Sequence, residues 1–150
     1  MKQKVLFAVL ACGLFAVCAP ATVSAQIPGT AIRVSIPFDF NVRGKVLPQG
    51  EYMIKRVSDR PDVLEIQNVG RLDHEKAVFT TEAFSVRRAP GKGEIIFHKY
   101  GDEYFLSRVL AGGEQTGREL PLSRQERTLK RETVGSYHAS QPETVTLAAN

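Results

Sequence analysis

Ile32, Val34, Ile36, Phe38, Phe40 and Val42 are apolar, and Arg33, Ser35, Asp39 and Asn41 stand between them. A run that alternates with period two cannot gather one apolar face as a helix, so it must be a strand with one buried side. Pro37 falls on the other side. Because proline brings no N–H to a sheet ladder, the strand is expected at an edge or bulged at that point.

The same punctuation continues along the chain. Arg43-Gly44-Lys45 supplies one turn, and Leu47-Pro48-Gln49-Gly50 a second, with Pro48 and Gly50 where a type I turn favours them. Glu51 to Val57 reads as a strand with Tyr52 and Ile54 on one face, and Asp59-Arg60-Pro61-Asp62 breaks it. Val63 to Val69 follows, with Leu64 and Ile66 opposite Glu65 and Gln67. Lys76 to Arg87 is strand-rich but irregular near Glu82, which predicts a bend or two shorter strands. Gly101-Asp102 has the glycine-first form of a type II′ hairpin turn. Counting outward from it places Ile95, Phe97, Lys99, Tyr104, Leu106 and Arg108 on one face, and Ile96, His98, Phe105, Ser107 and Val109 on the other.

Ser123 and Glu126 have the spacing of a capping box, opening a helix to Glu132 with only Leu122 and Leu129 to bury. The expected fold is all-β and mainly antiparallel, a sandwich or partly open barrel of about seven or eight strands with one short C-terminal helix. Ser, Gln and Pro are frequent after Gly135, so residues 134–150 read as a flexible tail behind a single β-rich domain of residues 26–133. Val145 and Leu147 are the residues there suited to a short closing strand.

The first 25 residues belong to another class of segment. Lys2 and Lys4 precede an apolar run from Val5 to Ala19, and Val23-Ser24-Ala25 offers small residues for cleavage, the pattern of a secretory signal peptide. The apolar run is shorter than the roughly 20 residues a spanning helix needs. Cleavage after Ala25 predicts a periplasmic or extracellular chain with no membrane span. It also removes Cys12 and Cys18, so disulfide staples, cysteine zinc sites and redox dithiols are excluded. The 20 basic residues fall to 18 against 16 acidic ones, a net of +2. A core, not a staple, must hold the fold together.

Few residues suggest chemistry. His98 and Ser107 share a face near Asp102, but the turn carries Asp102 away from the imidazole and no Gly-x-Ser-x-Gly elbow surrounds Ser107. They read as a half-exposed sheet histidine beside a small polar residue, and no catalytic residue is assigned. Asp73-His74-Glu75 points to alternate sides and holds no metal as a set. Glu51, Glu65 and Glu82 read as surface charge, and Ala89-Pro90-Gly91-Lys92-Gly93 lacks phosphate-loop spacing. No cofactor is implied.

The binding candidates are Arg118, Arg124, Arg127, Lys130 and Arg131. Arg124, Arg127 and Arg131 share one helical face, and Glu126 to Lys130 is a helix-stabilising pair. An exported protein meets no nucleic acid, so the matching partners are an anionic envelope polysaccharide or an envelope protein. Two rival readings are a β-barrel carrier with an apolar cavity lined by Phe40, Tyr52, Ile54, Phe97 and Leu106, and a hydrolase using His98 with Ser107 or an acid.

Four blocks carry a resemblance: Ile36-Pro37-Phe38-Asp39-Phe40 with Val42; Leu47-Pro48-Gln49-Gly50-Glu51-Tyr52; Phe97-His98-Lys99-Tyr100-Gly101-Asp102 through Phe105-Leu106-Ser107; and Gly117-Arg118-Glu119-Leu120-Pro121 through Ser123 and Glu126-Arg127. Together they resemble a group of small exported bacterial β-rich proteins, over most of residues 32 to 131. The resemblance implies export and a β fold and supplies no catalytic residue. Leu110 departs from the group, where a tryptophan is frequent.

Overall fold

The computed structural model describes residues 31–57, 60–71, 75–135 and 142–150. The leader, His74 and His138 lie outside the described residues. Alternation and turns resolve into eleven described strands and one helix: β1 (Ile32–Ile36), β2 (Phe40–Val42), β3 (Lys45–Leu47), β4 (Gly50–Val57), β5 (Arg60–Asn68), β6 (Lys76–Thr80), β7 (Glu82–Ser85), β8 (Gly93–Tyr100), β9 (Glu103–Leu110), β10 (Thr116–Glu119), α1 (Arg124–Gly135) and β11 (Glu143–Ala149). They form an all-β sandwich. One sheet has the order β1-β4-β5-β6, and the other runs β11-β8-β9-β10-β7, with β2 and β3 branching from β9.

The long alternating run at the start spans both sheets. Pro37 ends pairing, and the chain crosses between β1 and β2 while Asp39 Oδ1 takes the Gln49 N–H at 2.8 Å. The Lys76 to Arg87 run divides in the same way. Thr81, buried at the corner, donates its N–H and its hydroxyl to the Asp62 carbonyl at 2.7 and 2.9 Å. Two corners of this kind let short strands serve two layers, so the structure has more strands than the expected seven or eight.

Between the layers, Val34, Ile36, Tyr52, Ile54, Ile66 and Phe79 of the first sheet meet Phe40, Val42, Leu47, Ile95, Phe97 and Leu106 of the second. Phe40 lies edge-on to Tyr52 and Phe97 with ring centres 5.1 and 5.6 Å away. Burial raises the Tyr52 phenol above its ordinary pKa, and its hydroxyl donates to the Pro48 carbonyl at 2.7 Å. Those expected to line a carrier's cavity, Phe40, Tyr52, Ile54, Phe97 and Leu106, are instead packed against one another as solid core. A carrier has no room there.

Segment 134–150 does not behave as a tail where it is described. β11 pairs along β8 from Glu143–Lys99 to Ala149–Gly93, with Val145 and Leu147 packed on the core. Asn150 then exchanges backbone hydrogen bonds with Arg33 of β1 at 2.8 and 2.9 Å. Alternation of Val145, Leu147 and Ala149 with threonines outweighs the polar composition around it. The domain therefore extends beyond residue 133.

Gly101, at φ 59, closes the β8–β9 hairpin as a type II′ turn requires. Pairing follows the expected register from Tyr100–Glu103 to Phe97–Leu106 and then slips by one, so that Ile96 faces Arg108. Ser107 is the extra residue of this β-bulge. Beyond it the faces exchange, with Val109 joining the core and Arg108 turning outward to Glu119 at 3.0 and 3.1 Å.

Candidate functional site

The outer face of β8 and β9 carries Phe105, Tyr100 and His98, and α1 lies over it. The helix begins as its sequence predicts: the Glu126 N–H donates to Ser123 Oγ at 3.1 Å, a side-chain cap on the first turn. A capping box would turn the Glu126 carboxylate back to the same turn. It goes down into the sheet instead, where it meets His98 Nδ1 at 2.7 Å. Glu126 is only 4% exposed, and a buried carboxylate requires a partner of this kind.

On its other side the imidazole meets Ser107. The Ser107 Oγ to His98 Nε2 distance is 3.1 Å, and the alternation of β9, one position on from inward-facing Leu106, puts the serine on that face as its spacing predicts. A carboxylate can only accept, so Nδ1 carries a proton, and in the neutral imidazole Nε2 takes the hydrogen of the Ser107 hydroxyl. Tyr100 completes the cluster. Its buried hydroxyl makes no hydrogen bond of good geometry, and burial, with the charge and close approach of the Glu126 carboxylate added, pushes its pKa up to about 12.

Serine, histidine and acid thus stand in the order used for nucleophilic catalysis, with Glu126 in the place that sequence spacing denied to Asp102. Reaching a substrate is another matter. Ser107 is 3% exposed beneath the helix, and its carbonyl is held by the Leu120 N–H at 2.8 Å. A nucleophile has to approach its carbonyl to roughly 3 Å, and this hydroxyl is closed off. The relay instead joins helix to sheet. A second polar contact does the same, as Asn41 of β2 donates to Gln125 Oε1 at 3.1 Å and Gln125 donates to Glu103 Oε2 at 2.7 Å.

With Glu126 facing inward, the outward side of α1 is determined. At about 100° per residue, Arg124, Arg127 and Arg131 fall within roughly 60° of one another and away from Glu126, and Lys130 lies on the flank. All four are exposed. Arg43 joins them at the start of the helix, where its guanidinium donates to the Pro121 carbonyl at 3.2 Å. Sequence spacing did not point to Arg43, because only the β2–β3 turn, with Arg43 at φ 55, brings it there.

Arg118, expected in the same cationic group, is separated from it. Alternation along β10 sends Glu119 outward to Arg108 and Arg118 inward, to the rim between the sheets with Ile32, Ile54, Arg56 and Val109. Its Nε is buried without a hydrogen-bond partner. The space there is only about 30 Å³, room for about one water. No group of histidines and acids suited to a metal occurs among the described residues, nor does a helix long and apolar enough to cross a membrane. The chain matches no family model, no curated protein and no solved structure, so any functional assignment rests on the residues themselves.

Proposed function

We propose that this protein is an exported, non-catalytic binding module of the cell envelope, and that it holds an anionic polysaccharide against the outer side of α1. Arg124, Arg127 and Arg131 make the contact, with Lys130 and Arg43 flanking them. The observation that carries this reading is the orientation of the helix: a buried Glu126–His98–Ser107 relay fixes its inner side, and three arginines share its outer side. Export rests on Lys2, Lys4, the apolar run and the small residues before Gln26.

Exposed charge pairs contribute about 0.2–1 kcal/mol each. Three arginines on a repeating polyanion therefore supply about 0.6–3 kcal/mol, a factor of about 3 to 150 in affinity. The test is titration of fluorescent polygalacturonate into the protein, with neutral dextran as control. Binding that weakens with salt, and about threefold or more in Arg124→Ala/Arg127→Ala/Arg131→Ala, supports the assignment. Equal binding of the variant would remove the helix from it.

A further inference from the structure

Two large apolar side chains stand exposed among the described residues, Val46 at 65% and Val78 at 57%. Both belong to strands with one side unpaired among the described residues, where β3 pairs only with β2 and β6 only with β5. Lys45 Nζ of β3 reaches the Lys76 carbonyl of β6 at 2.7 Å, so the two edges lie within one lysine side chain of each other. The two edges form a seam that is unpaired among the described residues.

The backbone of β6 faces that seam in a defined phase. Thr81 N–H donates to the Asp62 carbonyl and Asn68 N–H to the Glu75 carbonyl, and alternate pairs of an antiparallel ladder carry the bonds. Ala77 and Phe79 therefore turn their backbone groups toward β5. Lys76, Val78 and Thr80 turn theirs to the seam, and the Lys45 contact to the Lys76 carbonyl shows the same phase from the other side.

Natural edges are guarded by proline, bulges or charge, or are covered. The outer edge of β1 meets Asn150, and β3 and β7 are short. β6 has neither proline nor bulge, and its only charge is Lys76 at one end. Lys45 and Lys76 are exposed and have no carboxylate partner among the described residues.

We infer that β6 accepts an added antiparallel strand from a partner protein, an extended segment with apolar residues opposite Ala77, Val78 and Phe79 and an acid opposite Lys76. The added strand supplies the hydrogen bonds that Val78 and Thr80 lack, covers the exposed valine, and sets its acid against Lys76 and Lys45. This surface is separate from the arginine face of α1.

The probe is the labelled peptide acetyl-TVVVEE-amide, with its reversed sequence as control, followed by fluorescence anisotropy and hydrogen exchange. Saturable binding is expected for the forward peptide, with exchange of the Val78 and Thr80 amides slowed about tenfold or more. Val78→Pro removes one N–H on the seam side and none on the β5 side, and should weaken binding about tenfold or more. Val78→Thr keeps that N–H and should retain most of it. If Val78→Pro proves unfolded by its melt, Val78→Lys takes its place, setting like charges together.

Undiminished binding by the folded seam variant, equal binding of the reversed peptide, or protection at another strand would overturn the inference. So would slow exchange at Val78 and Thr80 in the free monomer, which would mean the seam is already closed. Protection of these amides through self-association, without peptide, would also overturn it by making a second copy the occupant.

Discussion

Removing the imidazole of His98 should cost more stability than any other single change on the outer face of the sandwich. Glu126 is 4% exposed, and its carboxylate is placed against His98 Nδ1 at 2.7 Å. His98→Ala leaves that charge buried and without its donor, a defect that costs about 3–5 kcal/mol. For a domain of this size each kcal/mol moves the melting midpoint by roughly 3–4 °C, so a fall of about 10–20 °C is expected. Glu126→Ala removes the buried charge itself and should cost less, about 1–3 kcal/mol for the lost bond and the unsatisfied ring nitrogen of His98. In the double variant no buried charge remains. Its cost should fall short of the sum of the singles by about 1.5 kcal/mol or more, measured by urea unfolding of all four proteins. Additive costs, or a His98→Ala change below about 1 kcal/mol, would refute the view that the relay holds the helix.

Tyr100→Phe removes a buried hydroxyl that makes no hydrogen bond of good geometry, and should leave stability at neutral pH unchanged or raised by about 1 kcal/mol. The alkaline limb gives a sharper reading. The folded phenol titrates near 12 against about 10 when unfolded, so the unfolded chain loses its proton first and stability falls as pH rises from about 10 to 12. Melts across that range should fall less steeply for Tyr100→Phe, while Tyr52, also raised, keeps part of the slope. An unchanged slope would count against a buried Tyr100. Gly117→Ala places a methyl group 2.5 Å from the Phe84 ring and 3.0 Å from Leu110 Cδ1, and should cost about 1–3 kcal/mol, with partial recovery in Gly117→Ala/Phe84→Leu. A fluorophosphonate probe should leave Ser107 unlabelled, as read by intact-protein mass. Labelling lost in Ser107→Ala would instead establish a reactive serine.

What the sequence made legible was local. The Gly101 hairpin, the Ser123 cap and the alternation of β1 and β2 depend on residues within a few positions of one another. The β-bulge was not legible. Ser107 leaves the apolar pattern of its neighbours intact, and its place is fixed with help from Leu120, which takes its carbonyl from beyond the next turn. Glu126 shows the same limit. Its spacing from Ser123 is that of a capping box, and only a histidine 28 positions earlier diverts it. The helical spacing of Arg124, Arg127 and Arg131 could be read directly, whereas Arg118 looked like their companion until the alternation of β10 placed it on the inner face. β11 did leave a signal in Val145, Leu147 and Ala149, but composition and position at the chain end pointed to a tail. Pairing with β8 and Arg33 is long-range information.

The salt dependence of polygalacturonate binding tests the central claim most directly, compared between the protein and Arg124→Ala/Arg127→Ala/Arg131→Ala. If the outer side of α1 is the binding surface, affinity falls steeply with salt for the protein, and the variant binds weakly with a much flatter dependence. Parallel salt curves of equal affinity for the two proteins, with both melts intact, would contradict the account.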